Sequence, residues 1–194
     1  MTIKNHLHLA TVRGVVLLGT TLALSVHADQ KLVPAQSEIA FVAKQMGVPV
    51  EGHFKRFDAQ IAFDPTKLDA AKIAFTIDTG SATLGSAEAD AEMPKAPWFN
   101  VVKFPQATFQ SSAFKALGAG KFEVSGKLGI KGNVRDVVIA VTLAPSGANT
   151  IASGSFAIKR LAYKVGEGEW SDTSTVADDV QVKFKVALSG VGKY

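Results

Sequence analysis

The chain contains no cysteine, and three of its four histidines (His6, His8 and His27) fall within the first 28 residues. Past that point His53 is the one imidazole left. Zinc sites built from cysteine and histidine are therefore excluded, since they need several such ligands. Nucleophilic catalysis is equally short of parts, with no thiol, no Gly-x-Ser-x-Gly elbow and a single imidazole base. No Walker-type phosphate loop occurs, and Gly166-x-Gly168 lacks the strand-to-helix setting of a dinucleotide fingerprint. Glu88-x-Asp90-x-Glu92 lacks the glycine and distal glutamate of a calcium loop and reads as a solvated helix face. Basic residues are mostly isolated lysines with no interleaved aromatic stripe, so nucleic acid is not an expected partner.

A secretory leader is expected over residues 1–28. Lys4 and Arg13 make a basic start, Gly14 through Val26 form an apolar run, and Val26-His27-Ala28 presents a cleavage point after Ala28. That run falls short of the roughly 20 apolar residues a membrane span requires. No cysteine follows it, which excludes lipoprotein attachment. Residues 29–194 then form one domain, large enough to bury a core without disulfide staples. An exported chain without thiols suits the bacterial periplasm. Removing Lys4 and Arg13 takes the formal net charge from +4 to about +2, a weak bias.

What the chain has in quantity is phenylalanine, twelve in all, and alternation. In Val180-Gln-Val182-Lys-Phe184-Lys-Val186-Ala-Leu188 every second residue is apolar, which gives a strand one dry face and one wet face. The pattern recurs at Ile39-Phe41, at Ile73-Phe75-Ile77 and from Phe122 to Ile130. Looser versions cover Val48–Phe63, Ala107–Phe114, Val134–Leu143 and Ile151–Ile158, for about eight strands in total. Asp64-Pro65 and Ala144-Pro145-Ser146-Gly147 should stop strands, and Gly132-Asn133 should make a tight hairpin turn. Ser86 to Pro97 is different, being rich in alanine and glutamate. Ser86 is placed to cap a short helix near 86–99 that Pro94 and Pro97 curtail.

Antiparallel strands with one dry face must curl or stack to hide it. Alternation alone admits a barrel or a sandwich; an eight-stranded barrel has the merit of removing edges and enclosing a small ligand. His53 lies on the face opposite Val50, Gly52 and Phe54, which makes it a surface residue if those point inward.

Six segments, in order, resemble the YceI-like family of exported bacterial lipid-binding proteins. They are Ser37-Glu-Ile39-Ala-Phe41; Val50-x-Gly52-x-Phe54-x-x-Phe57; Asp78-Thr79-x-Ser81; Trp98-Phe99 with Phe104-Pro105-x-Ala107-x-Phe109; Gly126-x-Leu128-x-Ile130-x-Gly132; and Arg160-Leu-Ala-Tyr163-x-Val165-Gly166-x-Gly168-Glu169-Trp170. Gln36 and Asn100 depart from the family's frequent His and Asp. The resemblance implies an all-β, lipocalin-like antiparallel barrel that holds a polyisoprenoid chain, of quinone-tail or isoprenoid-phosphate kind, with no cofactor, no metal and no catalytic residues.

The walls expected to alternate inward are Phe41, Phe54, Phe63, Phe75, Phe109, Phe122, Phe156 and Phe184, with Trp98 and Phe99 near the helix. Lys103 and Arg160 are the head-group candidates, because their cations suit phosphate. Two other readings stay open. One is a hydrolase or isomerase acting on a lipid head group at the barrel mouth; the other is an interaction module that passes lipid to a membrane cytochrome. Transient membrane contact and a homodimer are compatible with each.

Overall fold

The computed structural model describes residues 30–192 and 194, so the leader expected over residues 1–28 lies outside the described part. Eleven strands, rather than about eight, make up the sheet: β1 (Lys31–Leu32), β2 (Glu38–Gln45), β3 (Val48–Phe54), β4 (Phe57–Ala62), β5 (Lys72–Asp78), β6 (Ala82–Thr83), β7 (Gln106–Gly118), β8 (Lys121–Ile130), β9 (Asn133–Ser146), β10 (Asn149–Lys159) and β11 (Asp179–Ser189). Among the described residues a single α-helix, α1 (Ala87–Glu92), lies between β6 and β7.

The extra strands have a physical origin. The stretch 48–63 is two strands, because its apolar phase slips by one between Phe54 and Phe57: Val50, Gly52 and Phe54 keep one parity, whereas Phe57, Ile61 and Phe63 keep the other. One residue's slip exchanges the faces of a strand, so the chain must turn a corner there. That corner is tied by side chains. The Ser81 hydroxyl accepts from the Arg56 amide at 3.0 Å, and the Arg56 guanidinium pairs with Asp78 at 2.9 Å. β1 and β6 have two residues each, too few for any alternation to show.

All strand pairs are antiparallel, in the order β4-β5-β7-β8-β9-β10-β11-β2-β3-β6, with β1 added on β11. The result is a curled sheet, a half-barrel whose terminal strands β4 and β6 do not pair with each other. Beside β4, the Gln30 side-chain amide bonds both the N–H and the C=O of Phe63, at 2.7 and 2.6 Å.

Turn chemistry agrees with the backbone. Met46-Gly47 and Lys131-Gly132 link β2–β3 and β8–β9, and all four residues have positive φ. That is the two-residue hairpin geometry compatible with strand twist. The second turn is thus Lys131-Gly132, one residue earlier than expected. β9 also runs on through Pro145 to Ser146. Its pairing with β8 ends at Thr142, so on that side Pro145 interrupts no ladder. Helix α1 begins where Ser86 accepts a hydrogen bond from the Ala89 amide, as the sequence predicts.

Candidate functional site

The alternating strands turn their apolar side chains into one concave interior, which contains two adjoining cavities. The smaller, of about 150 Å³, is walled entirely by apolar side chains. The larger, of about 460 Å³, lies toward the end closed by α1 and the segments after it. Val182 on β11 lines both.

The eight phenylalanines expected from the alternation, and Trp98 and Phe99 expected near the helix, all stand on these walls. Phe63, Phe75, Phe109, Phe122, Phe156 and Phe184 line the smaller cavity. Phe41, Phe54, Trp98 and Phe99 line the larger. Rings meet in tilted or edge arrangements, as at Phe63–Phe122 (5.3 Å between centroids) and Phe54–Phe99 (5.8 Å). Those geometries suit the aromatic quadrupole. Three rings are seated over glycines of the neighbouring strand, those of Phe41, Phe109 and Phe184, the last over Gly154. A Cβ on Gly52 would lie 2.4 Å from the Phe41 ring, and one on Gly126 would lie 2.5 Å from the Phe109 ring. Gly52 faces Phe41 directly in register, and Gly126 faces Ser111, two residues beyond Phe109. Glycine at these positions leaves room for the rings to approach the sheet closely.

Polar residues reach the larger cavity at its rim. Gln45, Ser86 and Glu88 are exposed there, and Glu92 is half-buried and paired with Lys95. Asp90, between the two glutamates, faces the other way and binds the Thr83 hydroxyl at 2.5 Å and the Leu84 amide at 2.6 Å. Those two hydrogen bonds hold its carboxyl below the ordinary carboxylate range.

Arg160 lines the larger cavity and is 3% exposed. Its guanidinium has five N–H donors, and each is engaged. Nε donates to the Ala177 carbonyl, Nη1 to those of Val165 and Gly166, and Nη2 to those of Trp170 and Val176, at 2.6–3.0 Å. Burial lowers its pKa from the usual guanidinium value, and Asp178 partly offsets that. The head-group candidate Arg160 thus brings charge to the cavity wall but no spare donor, because the backbone of 165–177 has taken all five. Lys103, the other candidate, is exposed, sits 5.5 Å from the Phe104 ring centre and lines neither cavity.

A second buried cation went unnoticed in the sequence. Lys131, 6% exposed, donates to the carbonyls of Ala96, Pro97 and Lys164 and to the Glu167 carboxylate, at 2.6–3.1 Å. Arg160 and Lys131 together fasten the irregular segments that close the larger cavity. Between those segments Trp98 packs on Trp170, with ring centroids 5.4 Å apart, and the buried Trp98 Nε1 has no acceptor among the described residues. The partners of Lys131 are far from it in sequence, and for both cations carbonyl partners leave no pattern of residue types to read. Phe114, Tyr163 and Trp170 also line the cavities, although none is among the walls expected from the sequence. His53 is exposed and faces a separate hollow with Ser37, Glu38 and Lys55. No cluster of metal-binding side chains occurs among the described residues.

Comparison with known proteins agrees with this architecture. Residues 30–188 match the model of the YceI-like domain. Protein YceI of Salmonella arizonae is 34% identical over 141 residues, covering 68% of this chain and 73% of the relative. Among solved structures, Burkholderia cenocepacia BcnA is 45% identical with a TM-score of 0.77, covering 80% of this chain and 98% of that one. A polyisoprenoid binding domain from Saccharophagus degradans shares the fold at 17% identity, with a TM-score of 0.69 over 84% of this chain and 99% of its own. By fold, by motif order and by this match over most of its length, the chain belongs to the YceI-like family.

Proposed function

We propose that the protein is a periplasmic binding or carrier protein that holds a polyisoprenoid or isoprenoid-quinone-type lipid in its interior and performs no chemistry on it. The observation that carries this reading is the unbroken apolar lining of the smaller cavity, which continues into the larger through Val182. Apolar surface removed from water is worth about 25 cal/mol per Å². A tail of several isoprene units has hundreds of Å² to bury, enough for about 10 kcal/mol before the costs of ordering. The distribution of polar groups favours holding over reacting. The carboxylates of the larger cavity stand at its rim, and His53 lies outside both cavities. The expected leader over 1–28 supplies the route to the periplasm.

The test is extraction. Protein purified natively from the periplasm should release an isoprenoid lipid into organic solvent, identified by mass spectrometry at near one equivalent per chain. Protein that carries no extractable lipid, and takes up none when offered, would sink the reading.

A further inference from the structure

We infer that the tips of the β7–β8 and β9–β10 hairpins form a docking surface for a bilayer containing anionic phospholipid. The surface lies on the outside of the sheet and does not depend on what the interior holds.

The two tips stand together, at the end of the strands away from the Lys131-Gly132 turn. β8 pairs with β9 only as far as Thr142, yet β9 runs on to Ser146 and turns back into β10. The Leu143 amide donates to the Gly120 carbonyl at 2.8 Å. A Cβ on Gly120 would lie 3.2 Å from the ring of Tyr194, which is itself exposed.

Their composition suits the boundary between lipid and water. Residues 115–119 and 144–148 are all exposed, Leu117 at 52%. No acidic residue occurs in 111–122 or in 137–158. Lys115 and Lys121 flank the first tip, and neither is in an ion pair among the described residues. Glu123 faces Lys115 across the ladder, so the local cations outnumber the carboxylate. A lysine stem can lie along apolar surface while its ammonium reaches a head group, and tyrosine favours the membrane interface. Ala119 has φ +51°, a left-handed conformation in which asparagine or aspartate is the usual alternative to glycine. Alanine there keeps the tip apolar at a cost in backbone energy.

Charge selects this end over the other. The β2–β3 tip also exposes Met46 and Val48. The Met46 amide, however, is bonded to the Thr175 carbonyl, in a segment (167–179) with five acidic residues and no basic one. An anionic surface repels that end and attracts the lysine-flanked one. Phe114, Phe122 and Leu143, next to the docking tips, line the smaller cavity, so docking sets that cavity's end against the bilayer.

The absence of cysteine makes the test direct. The purified protein is labelled with the polarity-sensitive fluorophore NBD at Leu117→Cys or, separately, at Met46→Cys. Each is mixed with vesicles of phosphatidylcholine alone or of phosphatidylcholine and phosphatidylglycerol in equal parts. The label at 117 should brighten and shift to the blue on the anionic vesicles, whereas the label at 46 should stay in water. Lysines near an anionic surface contribute about fivefold each to affinity. Lys115→Gln combined with Lys121→Gln should therefore weaken flotation with anionic vesicles about 25-fold, with thermal unfolding unchanged because both side chains are exposed. High salt should weaken wild-type binding in the same direction. A label at 117 that stays dark, or that responds equally to both vesicles, overturns the inference. So does a response at 46 in place of 117, or a double-lysine variant that floats like wild type. None of those results touches the lipid-binding reading, which extraction tests separately.

Discussion

The carbonyl of Gly166 accepts from Arg160 Nη1 at 2.8 Å, and a Cβ on Gly166 would lie 2.3 Å from that same nitrogen. The glycine also has φ +75°, which L side chains rarely adopt. Residue 166 is thus held to glycine twice, by backbone conformation and by the approach of the guanidinium. Arg160→Lys keeps the charge but offers three donors where five are used, and a lysine cannot reproduce the planar fork. Removing one side of a buried polar network costs about 3 kcal/mol or more. Urea denaturation should show a loss of that order for Arg160→Lys and a comparable one for Gly166→Ala. A variant within about 0.5 kcal/mol of wild type would mean that the carbonyls of 165–177 find water instead.

Much of this was readable from residue order, and the reason is geometric. A strand imposes a two-residue period that local sequence displays directly, so Phe63, Phe109, Phe122 and Phe184 could be assigned to the inner face. The capping of α1 by Ser86 was legible for the same reason, since its partner is three residues away. Even the corner between β3 and β4 left a signal, the parity slip between Phe54 and Phe57. Arg160 and Lys131 left none. The charge of Arg160 suggested a phosphate, and for both cations it was the folded backbone that supplied most of the acceptors.

Two of these ring seats predict unequal penalties. At Gly52 an added methyl meets the tip of the Phe41 ring at 2.4 Å and the Leu84 side chain at 2.8 Å, both able to swing into the larger cavity they line. At Gly126 it meets the Phe109 ring at 2.5 Å and also the Gln110 carbonyl oxygen at 2.6 Å, which is fixed in the β7 backbone. Overpacking of this kind costs about 1–3 kcal/mol. Gly126→Ala should therefore fall at the upper end and Gly52→Ala at the lower, as read by thermal unfolding. The reverse order would show that β7 gives way more easily than the aromatic wall.

Asp90 predicts a pH dependence of definite sign. Hydrogen bonds from Thr83 and Leu84 favour its ionised form, so its folded pKa lies below the ordinary 3.8. A group with a depressed folded pKa stabilises fully above its unfolded pKa, and loses that contribution as pH falls through the folded value. Asp90→Ala should accordingly melt below wild type at pH 7, and the difference should shrink as pH is lowered beneath about 4. A melting difference that stays constant down to pH 2 would contradict the assignment.

Val182 offers the most direct test of whether the two cavities serve one ligand. Its side chain lines both, on a β11 strand whose next inward residue is Phe184. Val182→Phe adds a ring at that junction, where free volume on either side can take it, so the fold should lose little stability. A long tail would then be stopped at the junction, whereas a short one confined to the larger cavity would not. Each methylene denied burial forfeits about 0.8 kcal/mol. Excluding four of them would cost about 3 kcal/mol, or roughly a hundredfold in affinity. Titration with a ten-carbon and a twenty-carbon isoprenol should therefore show the long chain losing about two orders of magnitude in the variant while the short chain is nearly unaffected. Equal losses for both lengths would mean that the tail never passes Val182, and that the smaller cavity is core rather than site.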